Sequence, residues 1–266
     1  MNNKPVLFLD SGIGGIPYCA DFLEKNPQET VCYIADNGNF PYGPRTREEL
    51  TSILITLTEK LLEKIDPKII VLACNTATIA ALASLREKFP QLPFVGTVPA
   101  VKPAASACNN GKVGVLGTNC TIKEIQNLNL VDKTCEIFGI AAPELVDFIE
   151  FNFADSNEKD RAEISSKYIK LFREAKVDTL VLGCTHFLFL LEEFRREATP
   201  YFEVFDSRCG ITKRIEFLLD ENNKTQRAEK NNVPTHSFLY TGTDTPDFWQ
   251  NRMQKFPVIF STIKQL

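Results

Sequence analysis

Val71-Leu72-Ala73-Cys74-Asn75-Thr76 has a near twin in the second half of the chain, Val181-Leu182-Gly183-Cys184-Thr185-His186. In each, an apolar, β-branched run reads as a buried parallel strand, a cysteine follows at its carboxyl end, and the next segment reads as a helix. A thiol at a helix N-terminus lies where partial positive charge favours thiolate. Two matched thiols facing each other across one crevice could take a proton from one face of a carbon and return one to the other.

Working outward, strand-like and helix-like stretches alternate: strands at 6–9, 31–35 and 69–73, with helices near 16–24, 47–65 and 76–89. This is the rhythm of a parallel α/β sheet. It restarts at 112–116 and continues through 136–140, a helical 161–175 and 179–182. The first strand leads into Asp10-Ser11-Gly12 and its counterpart into Gly117-Thr118-Asn119, so a hydroxyl residue precedes each cysteine at similar range. In doubly wound sheets ligands lie outside the carboxyl ends of strands, where Ser11, Cys74, Thr118 and Cys184 would all stand.

The expected architecture is therefore α/β, with two pseudo-symmetric doubly wound domains, mainly parallel sheets and an interdomain active-site cleft. Pro99 and Pro103 punctuate the first boundary and Asp206-Ser207 marks a second crossing. Domains of 1–97 plus 207–266 and of 98–206 follow. Within the tail, a helix-like run covers 211–219, a polar stretch over 220–232 reads as an exposed linker, and a strand-helix-strand pattern over 237–261 is expected to rejoin the first domain.

A chain of 266 residues that is 44% hydrophobic can bury a sizeable core in two domains. Met1-Asn2-Asn3-Lys4-Pro5 runs straight into the first strand, too short for a secretory apolar region, and no apolar run approaches ~18 residues. A cytoplasmic protein without membrane contact is expected. The net charge of −4 gives no basic surface for direct nucleic-acid binding, so the partner is expected to be a small molecule. The 8 cysteines include several in or beside apolar strand patterns and read as reduced; with 2 histidines and no CxxC pair, no metal site is expected.

Polar donors flank both central cysteines: Asn75 and Thr76 after Cys74, Thr185 and His186 after Cys184. Cys19, Cys32, Cys108, Cys120, Cys135 and Cys209 lack a repeated context and read as structural. Asp10-Ser11-Gly12-Ile13-Gly14-Gly15 is a glycine-rich strand-to-helix turn, but the dinucleotide fingerprint needs glycine where Pro17 stands. The turn offers backbone N–H groups, a hydroxyl and a carboxylate suited to a ligand carrying both carboxylate and ammonium; a tight turn with Asp10 as helix cap is the alternative. Asn39-Phe40-Pro41-Tyr42-Gly43-Pro44-Arg45 reads as a rigid turn with an aromatic at its tip, either a lid or a connector. His186 is a candidate general acid, with Glu150 a candidate partner.

Taken together, Asp10-Ser11-Gly12-Ile13-Gly14-Gly15, Ala35-Asp36 with Pro41-Tyr42-Gly43, Ala73-Cys74-Asn75-Thr76-Ala77, Val98-Pro99-Ala100-Val101-Lys102, Gly117-Thr118 with Thr121, and Leu182-Gly183-Cys184-Thr185-His186 resemble the glutamate racemases of the cofactor-independent amino-acid racemase superfamily. The resemblance implies that Cys74 and Cys184 are the acid/base thiols, that Asp10 and His186 assist them, and that Glu150 supports the histidine. It implies substrate contacts from Asp10, Ser11, Pro41, Tyr42, Gly43, Asn75, Thr76, Thr118, Thr121 and Thr185. It further implies L- or D-glutamate as substrate, no cofactor, a homodimer, and D-glutamate supply to bacterial peptidoglycan synthesis. No lysine accompanies either cysteine motif, so a pyridoxal Schiff base is not indicated.

The sequence departs from the family's pattern in Asn37-Gly38-Asn39, in Asp147, Phe151 and Asn152 around Glu150, and in Phe187-Leu188-Phe189 after the histidine. Three other readings stay open, one of them a non-catalytic amino-acid-binding or regulatory protein. An aspartate racemase of the same superfamily is similar, although such enzymes usually carry glutamate where His186 stands. A thiol hydrolase using Cys184 and His186 would leave Cys74 without a role.

Overall fold

A computed structural model describes residues 4–127, 135–221 and 234–266. The linker expected over 220–232 lies, from 222 onward, outside the described residues, as do residues 1–3. The described residues form two compact units, one running through Thr97 and resuming at Arg208, the other Val98–Ser207.

The first unit opens as β1 (Val6–Asp10), α1 (Ile16–Lys25), β2 (Val31–Ala35), α2 (Arg47–Leu62), β3 (Ile69–Leu72), α3 (Asn75–Lys88) and β4 (Phe94–Gly96). The second follows as α4 (Val101–Ala107), β5 (Lys112–Gly117), α5 (Asn119–Asn127), β6 (Glu136–Ala141), α6 (Pro143–Asp147), α7 (Glu158–Glu174), β7 (Thr179–Gly183), α8 (Leu191–Ala198) and β8 (Glu203–Phe205). The chain then returns through α9 (Arg208–Glu221), β9 (Ser237–Tyr240), α10 (Pro246–Met253) and β10 (Thr262–Gln265).

Among the described residues the strands pair in parallel, in the order β10-β9-β2-β1-β3-β4 in one sheet and β6-β5-β7-β8 in the other. Every residue of β1, β2, β3 and β7 is buried, as expected of strands covered on both faces. In the first unit, Leu7, Leu9, Ile34, Ile70 and Leu72 pack with Leu50, Leu54, Leu57 and Leu61 of α2 and with Ala77, Ala81 and Leu85 of α3. The spacing on α2 is that of one helical face. Each such leucine contributes about 1.5–3 kcal/mol by leaving water. A capping box, Thr46 with Glu49, fixes where α2 begins.

Val113, Val115 and Val181 of the second unit pack with Val101, Ala104, Ile122 and Ile125. Gly114 lets α7 approach, since a Cβ there would stand 2.8 Å from the Phe172 ring. The tail is anchored by aromatic packing: β9 pairs with β2, Phe238 stacks on Tyr33 with centroids 5.5 Å apart, and Trp249 lies 5.0 Å from Phe238 and 5.6 Å from Tyr240. The last strand begins at Thr262, beyond the pattern read over 237–261, because Ser261 spends its N–H and hydroxyl on the His236 carbonyl before pairing starts. Among the described residues no helix is long and apolar enough to cross a membrane.

Candidate active site

Parallel registry gathers the chemistry of the first unit at one sheet edge. Asp10 pairs with Ala35, and Leu9 with Leu72, so the residues that follow these strands, Ser11, Asp36 and Ala73-Cys74, leave the sheet side by side. Cys74 takes the N-cap position of α3 with extended backbone, and Asn75 and Thr76 open the helix as buried side chains. Asp10 is fully buried, and its Oδ1 accepts from the Ser11 N–H at 2.5 Å and the Ser11 hydroxyl at 3.2 Å.

The glycine-rich turn is held from beneath. Tyr33 donates its hydroxyl to the Gly12 carbonyl at 2.8 Å and accepts from the Gly15 N–H at 3.0 Å. With the Ser11 N–H on Asp10, two of the backbone donors that the sequence offered to a ligand are engaged internally. A Cβ at Gly15 would lie 2.6 Å from that of Ala73, so close approach to the strand carrying Cys74 requires glycine here.

Tyr42 is not an exposed tip. It is buried at 1% exposure and donates its hydroxyl to Asp36 Oδ2 at 2.7 Å. Asp36, itself fully buried, also accepts from Thr241 at 2.6 Å and from Asn39 at 3.0 Å. An acceptor as strong as a buried carboxylate draws the ring inward. Burial pushes the Tyr42 hydroxyl well above its ordinary pKa, and the charges of Asp36, Cys74 and Asp10 push the same way. Pro41 remains exposed, and Gly43 has open space where a Cβ would sit. The sequence reading gave Asp36 no role; its signal was an acid directly after β2, matching Asp10 directly after β1.

In the second unit, Gly117 of β5 pairs with Gly183 of β7, so Thr118 and Cys184 emerge from neighbouring strands. Thr118 caps α5: its Oγ1 accepts from the Thr121 N–H at 3.2 Å and lies 3.0 Å from the Thr121 hydroxyl, with Thr121 fully buried. Cys184 repeats the N-cap position with extended backbone, but a 3₁₀ segment, Thr185–Leu190, follows in place of the expected helix, and α8 starts only at Leu191. Thr185, His186, Phe187, Leu188 and Leu190 are all buried. A segment without a solvent face lacks the amphipathic pattern that supports a regular helix, and the tighter i+3 bond from the Phe187 N–H to the Cys184 carbonyl, 3.1 Å, takes over.

His186 and Glu150 meet, with Nε2 and Oε2 3.0 Å apart and both residues buried. Glu150 is presented by a π-helical turn, Phe148–Asn152, the stretch in which the sequence departs from the family pattern. Toward an ionised carboxylate a ring nitrogen must donate, which places the proton on Nε2 and leaves Nδ1 for exchange elsewhere.

Cys74 and Cys184 retain 8% and 7% exposure, whereas Cys19 and Cys32 are at 0% and 2%. Burial pushes the Cys19 thiol far up and that of Cys32 up to about 11, which keeps both neutral. Two small, nearly buried thiols at strand ends, each beside polar side chains, can serve proton transfer.

A family model described as Asp/Glu/Hydantoin racemase matches residues 20–208. The chain belongs to this racemase family. It is 36% identical over 247 residues to the glutamate racemase of Roseiflexus sp. (strain RS-1), covering 92% of this chain and 88% of that one. With the glutamate racemase of Corynebacterium diphtheriae it shares 40% identity over 190 residues, 70% of each chain. The solved Escherichia coli glutamate racemase, in complex with L-glutamate and the activator UDP-MurNAc-Ala, superposes on this racemase-family chain with a TM-score of 0.83 at 27% identity, covering 99% of this chain and 98% of that one.

Proposed function

We propose that the chain interconverts L- and D-glutamate without a cofactor, with Cys74 and Cys184 as the two acid/base groups. The observation that carries this is the matched placement of two thiols, each capping a helical segment after a parallel strand, in a chain whose relatives at 36–40% identity are glutamate racemases. One cysteine, as thiolate, removes the α-proton; surrounding donors stabilise the planar carbanion; the other, as neutral thiol, delivers a proton to the opposite face. The roles exchange in the reverse direction. An ordinary thiol pKa of ~8.5 allows modest influences to hold either form near neutral pH.

Asp10 assists Cys74 and His186 assists Cys184, the latter exchanging its proton through Nδ1 while Glu150 fixes the ring. Ser11, Asn75, Thr76, Thr118, Thr121 and Thr185 hold the carboxylate and ammonium groups, and Pro41, Tyr42 and Gly43 wall the substrate. Histidine rather than glutamate after Cys184-Thr185 supports glutamate over aspartate as substrate. The reaction supplies D-glutamate for peptidoglycan in the cytoplasm, and the working form is a homodimer, which light scattering at assay concentration tests directly.

Proton NMR of L-glutamate in D₂O, with the reduced protein and no added cofactor, tests the reaction. Loss of the α-proton signal together with loss of the amino acid's circular dichroism is expected. An unchanged α-proton would overturn the assignment and turn attention to aspartate and then to the hydrolase, whose hydrolytic activity would survive Cys74→Ala.

A further inference from the structure

In the second unit the acid and the imidazole both sit in segments of unfavourable winding. Glu150 belongs to the π-helical turn Phe148–Asn152, and His186 to the 3₁₀ run Thr185–Leu190, 6 residues long. A π turn is rare, and a 3₁₀ run beyond about three or four residues is uncommon because its hydrogen bonds are poorly aligned, so both segments need support from outside themselves. The Nε2 to Oε2 bond of 3.0 Å joins them at one point.

Each segment is followed by a phenylalanine three residues after its titratable group, Phe153 after Glu150 and Phe189 after His186. Side chains at i and i+3 eclipse in a 3₁₀ winding, so Phe189 stands on the His186 face of its run. The two rings meet with centroids 5.2 Å apart and planes tilted by 52°, a second rung beside the acid–imidazole bond. Arg161 covers the Phe153 ring, its guanidinium carbon 4.4 Å from the centroid. Its Nε donates to the Ser156 hydroxyl at 3.0 Å and its Nη2 to the Ser156 carbonyl at 2.9 Å, while that hydroxyl donates to the Phe153 carbonyl at 2.8 Å. A capping box, Asn157 with Asp160, fixes the first turn of α7, from which Arg161 projects. A guanidinium held in this way stacks as a rigid plate. Phe151 and Phe189 both depart from the family's pattern, yet Phe151 is 60% exposed and Phe189 is half-buried in the ring contact.

We propose that Phe189, Phe153 and Arg161 are positioning residues for the Cys184 half of the reaction. They hold Glu150 against His186, so that the imidazole keeps its proton on Nε2 and presents Nδ1 for exchange. The proposal rests on the reading that His186 assists Cys184. None of the three residues has to touch substrate, because a displacement of about 1 Å in a proton-transfer group is enough to slow the reaction.

Isotope labelling of the histidine nitrogens in the full chain reads the tautomer by NMR without turnover, and with 2 histidines in the chain His236→Gln assigns the signals. At pH 8, above the ordinary imidazole pKa of ~6.5, the wild type should show a protonated Nε2 and a bare Nδ1 on His186. Phe189→Ala and Arg161→Ala should each mix the two tautomers and lower kcat for glutamate by about tenfold or more, while KM changes by less than about twofold. Phe189→Tyr keeps the ring and should restore both readouts. Arg161→Ala leaves both rings in place, so it carries the test if Phe189→Ala folds poorly. An unchanged tautomer in the alanine variants, a kcat within about twofold of wild type in them, or equal losses in Phe189→Tyr and Phe189→Ala would overturn the proposal. Wild-type kcat in His186→Asn would instead overturn the underlying reading of His186, whatever the tautomer shows.

Discussion

Cys74 stands at φ −144°, ψ 121° and Cys184 at φ −134°, ψ 136°, each at the N-cap of the segment after a buried parallel strand. Around these similar backbone angles the two units place different titratable groups. Asp10, Asp36 and the Tyr42 hydroxyl gather in the first, whereas His186 pairs with Glu150 in the second. The continuation differs as well. Cys74 gives its carbonyl to Thr78, four residues on, and Cys184 to Phe187, three residues on. Repetition of a fold unit thus fixes where a thiol stands, and the neighbouring strands decide which titratable groups share its sheet edge.

If both halves carry the reaction, Cys74→Ala and Cys184→Ala should each lower racemisation by about 10²–10⁴-fold, the range expected for loss of one acid/base group. The α-proton NMR assay measures it. Near-normal turnover in either variant would break the equivalence of the halves.

The opposite sheet edges also differ. Beneath β1 and β3, Lys68 and Glu29 form an ion pair 2.6 Å long with both side chains fully buried. In the second unit, the matching edge carries Asp178, bonded to backbone N–H groups in a turn near solvent. Lys68→Met would remove the cation that neutralises the buried carboxylate and should cost about 3–5 kcal/mol. Denaturant unfolding monitored by circular dichroism checks this, and a loss below that of an ordinary surface substitution would mean that Glu29 reaches water in the folded state.

Tyr42→Phe sharpens the contrast between the carboxylate half and the imidazole half. It removes one donor from a fully buried carboxylate that keeps Thr241 and Asn39, so a loss of about 1.5–3 kcal/mol is expected. A KM for glutamate that rises with little change in kcat would tie that turn to substrate holding; unchanged kinetics would leave it a structural clasp.

The sequence was most legible where period and position coincide. Fully buried strands such as β1, β3 and β7 declare themselves by uninterrupted apolar runs, and both cysteines were readable because each ends such a run. The three-residue strands β4 and β8 are too short to show a period and were not anticipated. The inward turn of Tyr42 depends on Asp36 and, through it, on Thr241 from the far end of the chain, which no local pattern reveals. Glu150 was readable as a candidate partner of His186, but the π-helical turn that presents it is invisible to a 3.6-residue period.

Helix termini offer a gentler lever. α7 ends in a Schellman arrangement, with the Val177 N–H on the Phe172 carbonyl at 3.3 Å, the Lys176 N–H on that of Arg173 at 3.0 Å, and Lys176 at the left-handed position. Lys176→Gly relieves strain of about 1–2 kcal/mol and surrenders part of it to the looser unfolded chain. A net gain of about 0.5–1 kcal/mol is expected, read as a raised denaturation midpoint. A loss instead would show that the lysine side chain makes a stabilising contact of its own.

The smallest effect expected is a pH dependence confined to the first unit. His236 Nδ1 accepts the Val31 N–H at 3.3 Å, where β2 and β9 begin, and burial holds the imidazole pKa below its ordinary value. A proton on Nδ1 would turn this acceptor into a second donor, so the folded state resists protonation. The unfolded chain takes up its proton first, near the ordinary ~6.5. The contribution of His236 is therefore complete above that pH and is lost as pH falls from there through the lower folded pKa. Urea midpoints measured from pH 8 to pH 5 for the wild type and for His236→Gln isolate it, because titrations elsewhere cancel in the difference. The wild type should lose more stability than the variant over that window; parallel curves would mean that Val31 keeps its partner in either protonation state, leaving the buried pair of Lys68 and Glu29 as the stronger electrostatic tie at that edge.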